Sequence, residues 1–444
     1  MRKNLVLVLF PILFFSTVIP AMAGGIQKNG GAFQAATLTA SPVFTATPAP
    51  TATPLPSPTP TNTPNPYVIP LINGIPTPIG VGPESHPGHI NPLTGELVTD
   101  LSRLERRPMV VKITNYPRDV RPQWGMSKAD VVYEYYMERG IARFIAVFYG
   151  EDAEKVGPVR SGRLFDEHVF RMYDGIFVFG NADDRIISYF LDLGPHIVNS
   201  FVLEAEKVPC QPDTKVILCR DTDIVSWNNM FTDTAYLEEY IQRRNGNYRP
   251  DLPGMRFSER LPSGGSLGLS VYIRYSLFIY NQWRYDVASE RYLRYQETIG
   301  YADGLRESYA PHSDALTGEQ LAADNIITLM VPHNFFVKTN GTEMINISLW
   351  GSGQAWVFRD GFVFPARWER PADGGIIQIK SPDGSVFPFK PGKTWYQVIS
   401  QYSDVQVENG VNYRFTFNPP PDPGIPVNPL AVDPPFGPDY TPGQ

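Results

Sequence analysis

The side chains best suited to chemistry crowd one short stretch: Glu134, Glu138, Arg143, Arg160, Ser161 and Arg163. Two neighbouring carboxylates can act as acid and base if their surroundings push their pKa values apart. Arginines beside the start of a helix suit a different task. The first N–H groups of a helix have no partner inside it and carry partial positive charge, so Arg160, Arg163 and the Ser161 hydroxyl next to them would hold an anion. The helix is predicted from Leu164, Phe165, Val169, Met172 and Tyr173, which recur at helical spacing until Asp174-Gly175, with Ser161 as its N-cap.

Three strands must position these groups: Met109 to Ile113, Val131 to Met137 and Ile141 to Tyr149, the last two forming a hairpin closed by Arg139-Gly140. A two-residue loop sets Glu138 opposite Ile141 and Tyr136 opposite Arg143. Glu134, Glu138 and Arg143 then share one side of the ribbon, and Tyr133, Tyr135, Met137, Phe144 and Phe148 form the other. Ile145 and Val147 keep the charged side from being freely solvated, so its charges must pair. Two readings follow. One is an internal ion-pair network that fixes the register; the other is a polar pocket that binds an anionic ligand at Arg143, Arg160, Ser161 and Arg163, or uses Glu134 and Glu138 as a catalytic pair.

Further along, Ile176 to Gly180 reads as a strand. Asn181 to Asp184 opens an amphipathic helix through Ile186, Ile187, Phe190 and Leu191, and a third helix starts at Thr232-Asp233 and stops at Gly246. From Leu267 the apolar period becomes two, with strands expected at Ser270 to Tyr280, Arg284 to Val287, Tyr292 to Gln296, Ile326 to Val331, Met344 to Leu349, Gln354 to Arg359 and Phe362 to Pro365. The fold class is α+β: a mixed α/β-layered domain over residues 86–265, then a mainly antiparallel β domain over 266–417. Trp283, Trp350, Trp356, Trp368 and Trp395 read as core in preference to sugar-stacking platforms. Cys210 and Cys219, close together in an exported chain, are expected to form a disulfide worth about 2–3 kcal/mol.

Other motifs do not hold together. His86 and His89 supply two metal ligands at most, Ser161 and His168 stand two helical turns apart, and Gly264-Gly265-Ser266-Leu267-Gly268 lacks the lysine of a phosphate loop. No cofactor or metal is expected. The net charge of −7 argues against nucleic acid.

Residues 1–23 read as a secretory signal: Arg2-Lys3, an apolar run from Leu5 to Ile19 shorter than the roughly 20 residues of a membrane span, and Ala21-Met22-Ala23. No transmembrane helix is expected in the mature chain. Residues 24–85, with repeated Thr-Pro pairs, read as an extended stalk, and the proline-rich residues 418–444 as a disordered tail.

Several segments, in order, resemble the YerB-like lipoprotein family, a bacterial family of unknown function with N- and C-terminal conserved domains (domain of unknown function 3048). They include Asn91-Pro92-Leu93-Thr94-Gly95, Arg121-Pro122-Gln123-Trp124-Gly125, Ala129-Asp130-Val131-Val132-Tyr133-Glu134, Gly157 to Arg163, Asp324-Asn325-Ile326-Ile327 and Pro391-Gly392-Lys393-Thr394-Trp395. The sequence departs from the family in lacking a lipobox cysteine near Ala23 and in carrying Trp227-Asn228-Asn229 where relatives have Pro-His-Asn. The resemblance implies two folded domains and an extracytoplasmic location, and brings no activity with it. The function expected is an envelope-associated protein that binds an anionic ligand or envelope polymer, with a Glu-pair hydrolase and a purely structural module as alternatives.

Overall fold

Met109–Thr114 and Val131–Tyr136 are runs of β-branched and aromatic residues broken by one charge each, and nearly every position in them is buried. Strands covered on both faces read this way, since neither side can be left polar. In the computed structural model they lie deep inside an eleven-stranded mixed sheet. The structure describes residues 71–72, 75–76, 80–193, 197–199, 208–210, 216–224, 228–299, 307–337 and 343–421. The expected signal, most of the expected stalk and the end of the expected tail lie outside the described residues.

From one edge the sheet runs Ser266–Leu267, Phe362–Glu369, Ser352–Arg359, Asn325–Val331, Thr394–Ser400, Val131–Tyr136, Ala142–Phe148, Met109–Thr114, Ile176–Phe179 and Ile197–Asn199, with Gln378–Lys380 added beside Phe362–Glu369. The segments on either side of residue 265 therefore share one sheet. They are joined where Thr394–Ser400 pairs in parallel with Val131–Tyr136, Thr394 beside Val131 and Val398 beside Tyr135.

A second, seven-stranded sheet contains Tyr309–Pro311, Arg291–Glu297, Tyr280–Asp286, Ser270–Arg274, Asn412–Thr416 and Asp404–Glu408 in that order, with Ala322–Ala323 beside Arg291–Glu297. Every pairing in it is antiparallel except Ser270–Arg274 with Asn412–Thr416. The two sheets meet through Tyr275, whose hydroxyl oxygen lies 2.7 Å from the Glu134 carbonyl and 2.9 Å from Gln397 Oε1, its one hydrogen shared between these two acceptors.

The chain is mostly β, and of the α/β layering expected of its first half one crossover is seen, from Ile176–Phe179 through a helix to the parallel strand Ile197–Asn199. Three nine-residue helices, α1 (Leu164–Met172), α2 (Asp184–Asp192) and α3 (Thr234–Gln242), stand close to their expected places. α1 carries Val169, Phe170 and Met172 into the core, and Phe190 of α2 meets Phe170, Phe177 and Phe179 edge-on. Asp233 caps α3, its Oδ1 accepting from the N–H groups of Ala235 and Tyr236.

The single strand expected from Ser270 to Tyr280 is two strands. Ser276 Oγ accepts from the N–H groups of Phe278 and Ile279, and this local bonding turns the chain back on itself. Trp283, Trp368 and Trp395 are core. Cys210 and Cys219 are joined in a disulfide, with Cα atoms 4.8 Å apart. No helix of the described residues is long and apolar enough to cross a membrane.

Gly392 sits where the chain enters the joining strand. Its φ is +131°, its N–H donates to the Thr94 carbonyl, and a Cβ there would lie 2.2 Å from Asp324 Oδ2, which is already bonded to the Lys393 N–H. Replacing Gly392 by alanine is expected to lower the urea midpoint by the equivalent of about 2–4 kcal/mol. Gly384 lies in an open turn with φ +85°, and a Cβ added there would meet nothing within 4 Å. Its change to alanine should cost about 1 kcal/mol or less. Equal losses at the two sites would count against a special role for Gly392.

Candidate ligand-binding site

The hairpin that carries the candidate residues has a register one residue away from that expected. Tyr135 faces Arg143 and Glu134 faces Phe144. Glu138, Arg139 and Gly140 form the connection, closed by the Met137 N–H on the Ile141 carbonyl at 2.6 Å, with Arg139 and Gly140 at φ 61° and 73°. A one-residue slip moves each side chain of one strand to the other face relative to its partner. Arg143 thus stands beside Tyr135 while Glu134 points the opposite way, and the two glutamates do not form a pair.

Glu134 faces the second sheet and is fully buried there. Its Oε2 lies 3.0 Å from Arg294 Nη1 and accepts from Asn281 Nδ2 at 3.1 Å; its Oε1 accepts from Arg294 Nη2 at 3.1 Å. Arg294, itself without exposure, has its guanidinium carbon 4.7 Å from the centre of the Trp395 ring and 5.2 Å from that of Trp283. Its Nε donates to His312 Nδ1 at 2.9 Å. Arginine can only donate, so Nδ1 accepts and His312 Nε2 carries the hydrogen to Gln123 Oε1, 2.6 Å away. Burial, and after it Arg294, hold His312 well below the usual histidine range. The network continues through Gln296 to Glu297, whose Oε1 accepts from Arg121 Nη2 at 2.7 Å. Burial outweighs Arg121 and pushes Glu297 up to about 7.

On the other side lies a cavity of about 400 Å³ lined by Glu138, Arg143, Ser161, Arg163, Glu343 and Met344 among others. Arg163 forms an ion pair with Glu138, Nε to Oε1 at 2.7 Å, and also donates to the Gly162 carbonyl. Burial would raise Glu138, but Arg163 and Arg143 outweigh it and keep that carboxyl below its usual range.

Arg143 is different. It is 6% exposed, donates from Nη1 to the Ser161 carbonyl at 2.9 Å, has no hydrogen-bond partner at Nε, and forms no ion pair among the described residues. Burial, then the neighbouring Arg163, lower its pKa. Arg160 faces elsewhere, lining a separate space of about 40 Å³ with Asn181 and Arg220. Arg143, Ser161 and Arg163 are therefore brought together, and Arg160 stands apart.

Ser161 is not the N-cap. Helix α1 begins after Arg163, whose extended backbone (φ −140°, ψ 160°) makes it the cap residue, and Asp166 Oδ2 reaches back to accept the Arg163 N–H at 2.7 Å. The other oxygen of Asp166 accepts from Lys112 Nζ at 2.9 Å and from the Tyr135 hydroxyl at 2.6 Å. Lys112 and Asp166 have no exposure at all, and burial pushes Lys112 down to about 7 against the pull of Asp166. This trio lies directly behind Arg143 and Arg163, and sequence reasoning missed it. The available signal was a lysine in the middle of the otherwise apolar Met109–Ile113. Among the described residues no three His, Cys, Asp or Glu side chains are grouped as for a metal ion.

Two sheets fused across the chain, with a charged cavity at a hairpin end, define an architecture with known relatives. The chain belongs to the DUF3048 family of proteins of unknown function, whose N-terminal domain matches residues 93–248 and whose C-terminal domain matches residues 271–396. It is similar to a Bacillus subtilis (strain 168) protein named Putative lipoprotein YerB, at 27% identity over 322 residues, covering 72% of this chain and 88% of that one. The crystal structure of YerB from Bacillus subtilis superposes with a TM-score of 0.57 at 26% identity, covering 70% of this chain and 96% of that one.

Changing Arg294 to methionine leaves Glu134 buried without its cation and is expected to cost about 3–5 kcal/mol in urea unfolding; adding Glu134→Leu should recover part of the loss. A second expectation concerns pH. Folded Glu297 keeps its proton up to about 7, whereas in the unfolded chain it ionises near the ordinary value of 4.5. The folded state then binds more protons in that window, so this group lowers stability as pH rises from about 4.5 to 7. Glu297→Gln should remove that decline; an unaltered slope of stability against pH would contradict it.

Proposed function

We propose that this chain is an extracytoplasmic, envelope-associated binding protein whose cavity takes the anionic group of a ligand at Arg143, with Arg163 and Ser161 beside it. The observation that carries this reading is Arg143: a buried guanidinium that forms no ion pair among the described residues, feels Glu138 only at a distance and has an unbonded Nε, lining a cavity large enough for a small molecule. A buried charge is costly unless matched, and an anion entering from the cavity would match it. The signal-like first residues, the Thr-Pro stretch and the lipoprotein name of the Bacillus relative support the location.

The hydrolase alternative built on Glu134 and Glu138 draws no support from the geometry: Glu134 is sealed on the far side of the sheet against Arg294 and Glu138 is held ionised by Arg163, so those two carboxyls do not share a site. A structural module would have every buried charge matched internally, as Glu134 has.

Calorimetric titration of inorganic phosphate and of solubilised anionic envelope polymers tests the reading. Arg143→Met is expected to weaken binding by about tenfold or more, while thermal stability stays within about 1 kcal/mol or rises, because an unmatched buried charge is removed. No binding to the wild-type chain, or a loss of about 3 kcal/mol or more in Arg143→Met, would favour a structural role.

A further inference from the structure

The same cavity holds a second unmatched charge, of opposite sign. Glu343, at the start of the strand Glu343–Ile347, lines it and accepts the Arg139 main-chain N–H at Oε2, 2.9 Å away. It forms no ion pair among the described residues. The Arg139 guanidinium favours its charge only from a greater distance, and Glu138 works against it. Burial, the largest influence, raises its pKa, so the protein supplies less counter-charge than the carboxylate needs. Arg143, lowered by burial and Arg163, is short of counter-charge in the opposite sense.

The lining as a whole carries three arginines, Arg139, Arg143 and Arg163, and three acids, Glu138, Asp183 and Glu343. It is electrically balanced, which does not suit a polyanion. Arg163 and Glu138 satisfy each other, Asp183 is already engaged and Arg139 is exposed to solvent, which leaves Arg143 and Glu343 as the groups with capacity for a ligand. Met137, Ile141, Ile186 and Met344 complete the walls with aliphatic surface.

We infer that the ligand is a small zwitterion with a short aliphatic body, of the amino-acid or dipeptide class, its carboxylate on Arg143 and its ammonium on Glu343. The inference rests on the proposed anion site at Arg143 and adds the cationic end and the apolar middle. A cavity of about 400 Å³ lies toward the small end of small-molecule pockets and has room for a molecule of this class.

Calorimetry on the full chain with four probes separates the charges: alanylalanine, N-acetyl-alanylalanine with its ammonium masked, alanylalanine amide with its carboxylate masked, and inorganic phosphate. Alanylalanine is expected to bind about tenfold or more tightly than either masked form, the size of one well-formed charge contact. Glu343→Gln should abolish its advantage over the acetylated form while leaving the latter within about twofold, and Arg143→Gln should weaken both. Phosphate or the acetylated peptide binding as tightly as alanylalanine, or a Glu343→Gln chain that keeps the wild-type preference, would overturn the zwitterion while leaving the anion site standing. A wild-type chain that binds none of the four would overturn both.

Discussion

The register of the hairpin between Val131–Tyr136 and Ala142–Phe148 is the constraint on which the charged interior depends. Pairing Tyr135 with Arg143 sends Glu134 toward the second sheet and Arg143 toward the cavity. Each destination suits its occupant. Glu134 meets Arg294, Asn281 and Asn115, so its oxygens are saturated with donors. The one hydrogen bond of Arg143 among the described residues goes to a main-chain carbonyl. Had the strands slipped by one residue, Glu134 and Arg143 would have shared one face, and one of the two sheets would have lost its fit.

Energetics separate the two clusters. In the Glu134–Arg294 network every strong charge has a counter-charge or several hydrogen bonds, aromatic rings exclude water around it, and the neutral His312 continues it without adding charge. Such an arrangement specifies how two sheets pack more than it adds stability, because desolvation offsets most of the attraction. The cavity cluster keeps residual demand. The Lys112–Asp166–Tyr135 trio behind it fixes the first turn of α1 and the hairpin face together, and so holds the Arg163 and Arg143 main chain in place while their side chains line the cavity.

Much of this was legible in the sequence. The apolar runs located the strands, the helical spacing of Leu164 through Tyr173 placed α1, and the neighbourhood of Arg143, Ser161 and Arg163 was found because a helix start and several arginines coincide there. What could not be read has physical causes. The hairpin connection uses Glu138 along with Arg139 and Gly140, and sequence alone does not say whether a loop begins one residue earlier. The cap was hidden because Asp166 works from inside the helix on the Arg163 N–H, where Ser161 looked like the ordinary choice. The partner of Glu134 lies 160 residues away at Arg294, beyond any local pattern. The α/β layering is limited to one crossover, Ile176–Phe179 through α2 to the parallel strand Ile197–Asn199, because on the side of Val131–Tyr136 the sheet takes its next neighbour from the far half of the chain.

That last feature bears on how the protein is made. Val131–Tyr136 has Thr394–Ser400 as its lateral neighbour, and hundreds of residues separate them along the chain. Contacts this remote close late, since the intervening polymer must first give up its freedom. The middle of the large sheet therefore stays open until Thr394–Ser400 is available to pair. Until then its apolar edge is a natural landing place for chaperones.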